Sequence, residues 1–205
     1  MELQIIGFPL SNFTRAVCMV AQEKGVPYEN IPATPHSDEV KALNPLGQIP
    51  AMRHDGLELV ESTAIARYID TAFDGPALIP TDPREAAPVN RWIGTVSSAV
   101  DQMIMRRYVV EYAFHKDENG NVVRDVIDKT VRRLPKMFAF LDEAVNSGYL
   151  VGDSFTMADC FLTPILASAQ KYPEAQENMA NSPNLQSYFG TMSERDSFKN
   201  TGKRH

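Results

Sequence analysis

The stretch from Leu43 to Tyr68 constrains this chain more than any other. It runs Asn44-Pro45-Leu46-Gly47-Gln48-Ile49-Pro50-Ala51-Met52, then Arg53-His54-Asp55-Gly56-Leu57-Glu58-Leu59-Val60, then Glu61-Ser62 and on to Tyr68. Asp-Gly between two short apolar runs is a strong hairpin signal, because a type I′ turn needs positive φ at both central residues. A turn, a strand, a tight hairpin, a second strand and a helix start are therefore expected in that order. Glu61-Ser62 falls at the strand–helix junction, where unpaired backbone N–H groups and the positive end of the helix dipole attract a carboxylate. The Ser62 hydroxyl adds a donor, and the Glu61 carboxylate can accept from an ammonium group. The junction thus suits the zwitterionic head of an α-amino acid. Gln48-Ile49-Pro50 offers a second contact: with a cis Ile49–Pro50 bond, the N–H and C=O of Ile49 turn outward to pair with an extended peptide.

The segments before the hairpin fit the same domain. Leu3 to Gly7 reads as a short buried strand. Ser11 to Lys24 reads as a helix with Phe13, Val17, Val20 and Ala21 on one face, stopped by Gly25 and Pro27. Tyr28 to Ala33 reads as a strand, and Pro35 to Ala42 as one or two helical turns. The pattern is β-α-β, α, β-β-α. Gly75, Pro76, Pro80 and Pro83 then mark a linker.

Everything after the linker reads helical. One long helix is expected from Arg84 to about Phe114, and a second from Asp125 to Val145 with a kink at Pro135. A third opens on the capping box of Thr156 and Asp159 and is interrupted by Pro164. Shorter helices follow at Glu174–Ala180 and Asn184–Ser193, and Asn200 to His205 is expected to fray. The fold class expected is α/β plus all-α: residues 1–74, a linker over 75–83, and a helical bundle over 84–205.

Composition excludes several function classes. The net charge of −6 carries no broad basic footprint for nucleic acid. No apolar run reaches the roughly 20 residues of a membrane span. The N-terminal run shows no leader pattern. Cys18 and Cys160 lie far apart inside helical patterns, which points to a reducing, cytoplasmic setting. His36, His54, His115 and His205 show no metal-ligand spacing, so no metal is expected.

Asn-Pro-x-Gly-Gln-Ile-Pro, the hairpin, and Glu-Ser at the helix start together resemble the glutathione-binding half of the cytosolic glutathione transferases. Ser11-Asn12-Phe13-Thr14-Arg15-Ala16-Val17 resembles the Ser-x-x-Thr-Arg-x-Val segment of the serine-type members, closest to the phi class. The resemblance implies a thioredoxin-like N-terminal domain, glutathione as cosubstrate, a small apolar electrophile as partner, and a homodimer. It also implies a cis Pro50, Ile49 pairing with the cysteinyl part of glutathione, and Glu61 and Ser62 holding the γ-glutamyl head. Gln48, His36 and Lys41 are the candidates for the glycyl carboxylate.

Glutathione chemistry needs thiolate, and a thiol has a reference pKa of about 8.5. A hydrogen-bond donor beside a helix N-terminus favours the ionised sulfur. Ser11, Asn12 and Thr14 occupy the loop where such a donor belongs, and the resemblance makes Ser11 the catalytic hydroxyl, with Thr14 and Asn12 as fallbacks. An ordinary N-cap serine is the structural alternative for Ser11. Cys18, two helical turns further on, is expected to be a core residue. Leu10, Phe13, Met105, Tyr108, Val109 and Tyr112 are expected to line an electrophile pocket between the domains, with core packing as the plain alternative for each. Glutathione-dependent isomerisation or dehalogenation, and non-catalytic ligand binding, are the competing functions.

Overall fold

Leu3, Ile5 and Ile6 are buried on both faces of β1 (Leu3–Ile6), which places this strand inside a sheet rather than at its edge. The computed structural model, which describes residues 2–202, puts β1 between β2 (Tyr28–Ile31) and β3 (Ala51–His54), with β4 (Leu57–Val60) outermost. β1 and β2 are parallel; β1–β3 and β3–β4 are antiparallel. Asp55 and Gly56 both have positive φ, +46° and +81°, as the hairpin signal requires.

Helix α1 (Asn12–Glu23) joins the parallel pair and buries Ala16, Val17, Val20 and Ala21. Gly25, at φ +69°, ends it. The short α2 (Asp38–Leu43) is capped by the Ser37 hydroxyl, and α3 (Ser62–Ala72) buries Ile65, Ala66 and Ile69. Lys24 and Asp70 form a buried ion pair at 3.4 Å, and Asp70 also accepts from the N–H groups of Leu78 and Ile79. That carboxylate ties the proline-rich segment after α3 to the sheet domain. This is a thioredoxin-like domain.

The remaining helices are α4 (Pro83–Thr95), a π-helical continuation (Val96–Val109), α5 (Val110–Phe114), α6 (Asp125–Val131), α7 (Leu134–Ala144), α8 (Met157–Ala169), α9 (Pro173–Ala180), α10 (Pro183–Ser193) and α11 (Asp196–Lys199). The chain divides into two compact units, one running to Ala86 and resuming at Ser193, the other Ala87–Met192. Central helix α8 is buried nearly all round. Asp159 in its first turn accepts from the Thr156 N–H at 2.8 Å, the Leu150 N–H at 3.1 Å and the Tyr188 hydroxyl at 2.9 Å.

Four expectations for the helical half need correction. The stretch from Asp125 to Val145 is two helices, not one kinked helix: Pro135 sits in the first turn of α7, where its missing N–H costs no bond. Pro164 does not interrupt α8, which runs through it to Ala169. The long helix to Phe114 is continuous but π-wound over its middle. Asn200 to Gly202 do not fray: Thr201 is buried and bonded to the Ser197 carbonyl at 2.8 Å. The last three residues of the run expected to fray, 203–205, lie outside the described residues, as does His205.

Candidate active site

Strand register alone assembles the site. Ile31, Ile6, Ala51 and Val60 form one rung across the sheet: Ile6 pairs with Ile31 and with Ala51, and Ala51 pairs with Val60. Just past that rung, Gly7 leaves β1, the segment bearing His36 leaves β2, Gln48-Ile49-Pro50 enters β3, and Glu61-Ser62 leaves β4. Four segments far apart in sequence therefore emerge at one end of the sheet.

Gly7 lets two of them close on each other. A Cβ there would stand 2.5 Å from Thr14 Oγ1 and 3.4 Å from Ile49 Cβ, so the start of α1 and the Ile49 turn approach over bare backbone. Nothing in the sequence reading singled out this glycine; a lone Gly directly after a buried strand is the signal that marks it. Ser11 occupies the N-cap position of α1 in extended conformation, and its carbonyl accepts from the Arg15 N–H at 2.8 Å. Its hydroxyl makes no capping bond, which separates it from the ordinary N-cap serine. Thr14 is wholly buried and its hydroxyl has no partner among the described residues. Asn12 is also buried.

The Ile49–Pro50 peptide is cis. The Ile49 side chain packs against the cluster of Ile6, Ala33, Val40 and Ala51. Its backbone N–H and C=O take no hydrogen bond among the described residues. Buried Asn44 shapes the turn before it, donating to the Gln48 carbonyl at 3.1 Å and accepting from the Leu46 N–H at 3.1 Å. His36, at φ +64°, donates its N–H to the Gly47 carbonyl at 2.8 Å. Its ring lies so close that a Cβ on Gly47 would overlap Nδ1. His36 therefore sits beside Gln48, while Lys41 is exposed on the last turn of α2. Glu61 is exposed, adopts φ +71°, and precedes an α3 start that no side chain caps. The first N–H groups of that helix therefore have no capping side chain.

The helical candidates belong to the second unit. Tyr108 is wholly buried; its hydroxyl donates to Glu174 at 3.0 Å and accepts from the Ala175 N–H at 3.0 Å. Tyr112 donates to the same carboxylate at 2.8 Å and stacks on Tyr172 at 4.4 Å. Met105 and Val109 are buried too. These four are buried within the helical unit, where the two phenols are satisfied by Glu174. Leu10 and Phe13 remain half-exposed beside Ser11. Cys18 is buried in α1, and burial pushes its thiol up to about 12. No group of three or more metal-ligating side chains occurs among the described residues, and no described helix is long and apolar enough to cross a membrane.

A thioredoxin-like sheet domain followed in sequence by a helical unit defines a two-domain, α/β plus all-α architecture. The family models for the glutathione S-transferase N-terminal and C-terminal domains match residues 5–77 and 102–196. Glutathione S-transferase 3 of Zea mays is 30% identical over 97% of this chain and 92% of its own. The crystal structure of glutathione transferase F7 from Populus trichocarpa superposes with a TM-score of 0.86 at 29% identity, covering 97% of this chain and 96% of that one. Maleylacetoacetate isomerase of Mus musculus is 28% identical over 73% of this chain and 69% of its own. The chain belongs to the glutathione S-transferase family, with glutathione as its cosubstrate.

Proposed function

We propose that the protein is a serine-type transferase, closest to the phi class, that adds glutathione thiolate to small apolar electrophiles. Ser11 donates a hydrogen bond to the sulfur and favours its ionised form, without itself bonding covalently to substrate. Glu61 takes the γ-glutamyl ammonium. Ser62 and the uncapped start of α3 take the γ-glutamyl carboxylate. Ile49 pairs through its backbone with the cysteinyl residue. Gln48, with His36 beside it and Lys41 nearby, faces the glycyl carboxylate. Leu10 and Phe13 offer the apolar surface nearest the sulfur. With a haloaromatic, the sulfur lone pair forms the C–S bond, halide leaves with the electrons of the carbon–halogen bond, and the thiol proton goes to water. The proposal extends to a homodimer of this chain.

The observation that carries this reading is the Ser11 hydroxyl, at a helix start yet engaged in no capping bond, on the same sheet end as the exposed Glu61 and the Ile49 backbone, which takes no hydrogen bond among the described residues. Ser11→Ala is expected to abolish conjugation and the thiolate absorbance of bound glutathione, while calorimetry gives an affinity within a few-fold of wild type. Unchanged turnover would remove Ser11 from the role.

The likeness to the mouse isomerase supports a second reading, glutathione-dependent cis–trans isomerisation. It differs in outcome, since glutathione adds and is then expelled. Turnover of maleylacetoacetate with no net consumption of glutathione would favour it. Consumption of one glutathione per haloaromatic would favour conjugation.

A further inference from the structure

The helix that presents Ser11 is gripped from behind by the end of the chain. The segment from Ser193 onward follows the helical half in sequence but clusters with the sheet domain. Its grip falls at both ends of α1. At the first turn, Arg15 lays its guanidinium 3.7 Å over the Phe198 ring. The same group donates to the Phe198 carbonyl at 2.8 Å and to the Thr201 hydroxyl at 3.3 Å. Gly202, at φ +73°, closes against it: a Cβ there would stand 2.7 Å from Arg15 Nε. At the last turn, Glu23 receives a two-pronged contact from Arg195, at 2.8 and 2.7 Å, and a bond from the Ser197 hydroxyl.

These contacts make a two-point clamp, with planar, directional groups at each point. Arg–carboxylate forks and stacked guanidinium groups fix orientation as well as distance. Arg15 is the residue whose N–H bonds the Ser11 carbonyl, so the front point holds the turn that carries Ser11. Glutathione chemistry is sensitive to small displacements of a donor relative to the sulfur.

We infer that the C-terminal segment from Arg195 to Gly202 is a positioning strap, and that Arg15, through Phe198 and Thr201, sets where the Ser11 hydroxyl meets the glutathione sulfur. The inference rests on the reading of Ser11 as the sulfur's hydrogen-bond donor. Arg15 and Phe198 touch neither substrate in this scheme; they act through α1.

The test uses full-length protein and follows the pH dependence of kcat/KM with glutathione and a chlorodinitrobenzene. Glutathione affinity is measured by calorimetry in parallel. Arg15→Lys keeps the charge but loses the fork, and Phe198→Ala changes no charge at all. Both are expected to raise the apparent pKa of the bound thiol, each unit of rise costing about tenfold in kcat/KM on the acid side. Glutathione affinity should stay within about threefold, under 1 kcal/mol. A wild-type pH profile in both variants, with Ser11→Ala inactive, overturns the strap and leaves the Ser11 reading intact. A wild-type profile in Ser11→Ala removes both. Should Arg15→Lys fail to fold, Glu23→Gln at the far point is expected to give a smaller rise in the same direction, and an unchanged profile there overturns the strap.

Discussion

Thr14 turns its hydroxyl into the protein directly beneath Gly7, buried and without a partner among the described residues. A buried hydroxyl left unpaired costs about 1–3 kcal/mol. Thr14→Val replaces it with a methyl of the same shape, so melting should show a gain of up to about 1 kcal/mol with conjugation retained. Gly7→Ala should cost about 1–3 kcal/mol by overpacking, and Thr14→Ala in the same molecule should recover part of that loss. Loss of activity in Thr14→Val would return the catalytic role to this residue.

Glu61 holds a positive φ that side chains rarely adopt. Such a conformation costs about 1–3 kcal/mol and persists where surrounding structure or function demands it. Glu61→Gly is expected to raise the melting temperature slightly while weakening glutathione binding at least about tenfold, through loss of the carboxylate proposed to take the ammonium group. Denaturation and calorimetry on the same sample check both halves.

Cys18 and Cys160 are both buried thiols. With the Cys18 thiol pushed up to about 12, essentially no thiolate exists at neutral pH. A disulfide exchange reagent should label neither cysteine in folded protein and both in denaturant. Cys18→Ala should keep full conjugating activity and lose stability only.

Burial opposes the charge of Glu23, but the bonds from Arg195 and Ser197 and the Arg195 charge outweigh it and hold the carboxyl below its ordinary value. A lowered folded-state pKa adds stability above the unfolded value of about 4.3, and that stability is lost as pH falls through the folded value. Wild type should therefore lose more stability than Glu23→Gln on acidification below about pH 4, and the two melting curves should converge.

The sheet domain was legible in the sequence because its signals are local. Asp55-Gly56 dictates its own turn, Gly25 stops its own helix, and the Asn44-Pro45 run carries the Gln48-Ile49-Pro50 corner. Ser11, Glu61 and Ser62 were legible as candidates because each stands where a strand meets a helix. Less local features were not. Helical spacing put Met105, Tyr108 and Tyr112 on one face but could not say whether that face turns toward solvent or toward Glu174. Pro135 and Pro164 break helices only where an N–H is needed, which depends on position within the turn. The contact of Arg15 with Phe198 joins residues 183 positions apart, and no periodicity reports it.

The π-wound stretch of the long helix changes which side chains meet. With each N–H reaching five residues back, as Val110 reaches the Met105 carbonyl, residues five apart come into line. Asp101 and Arg106 bond at 2.9 Å across that interval, a pairing an ordinary helix would hold on divergent faces. Removing one residue from this stretch would close one such turn to the ordinary spacing and take Asp101 and Arg106 out of line, so the length of this helix is as much a part of its specification as its composition.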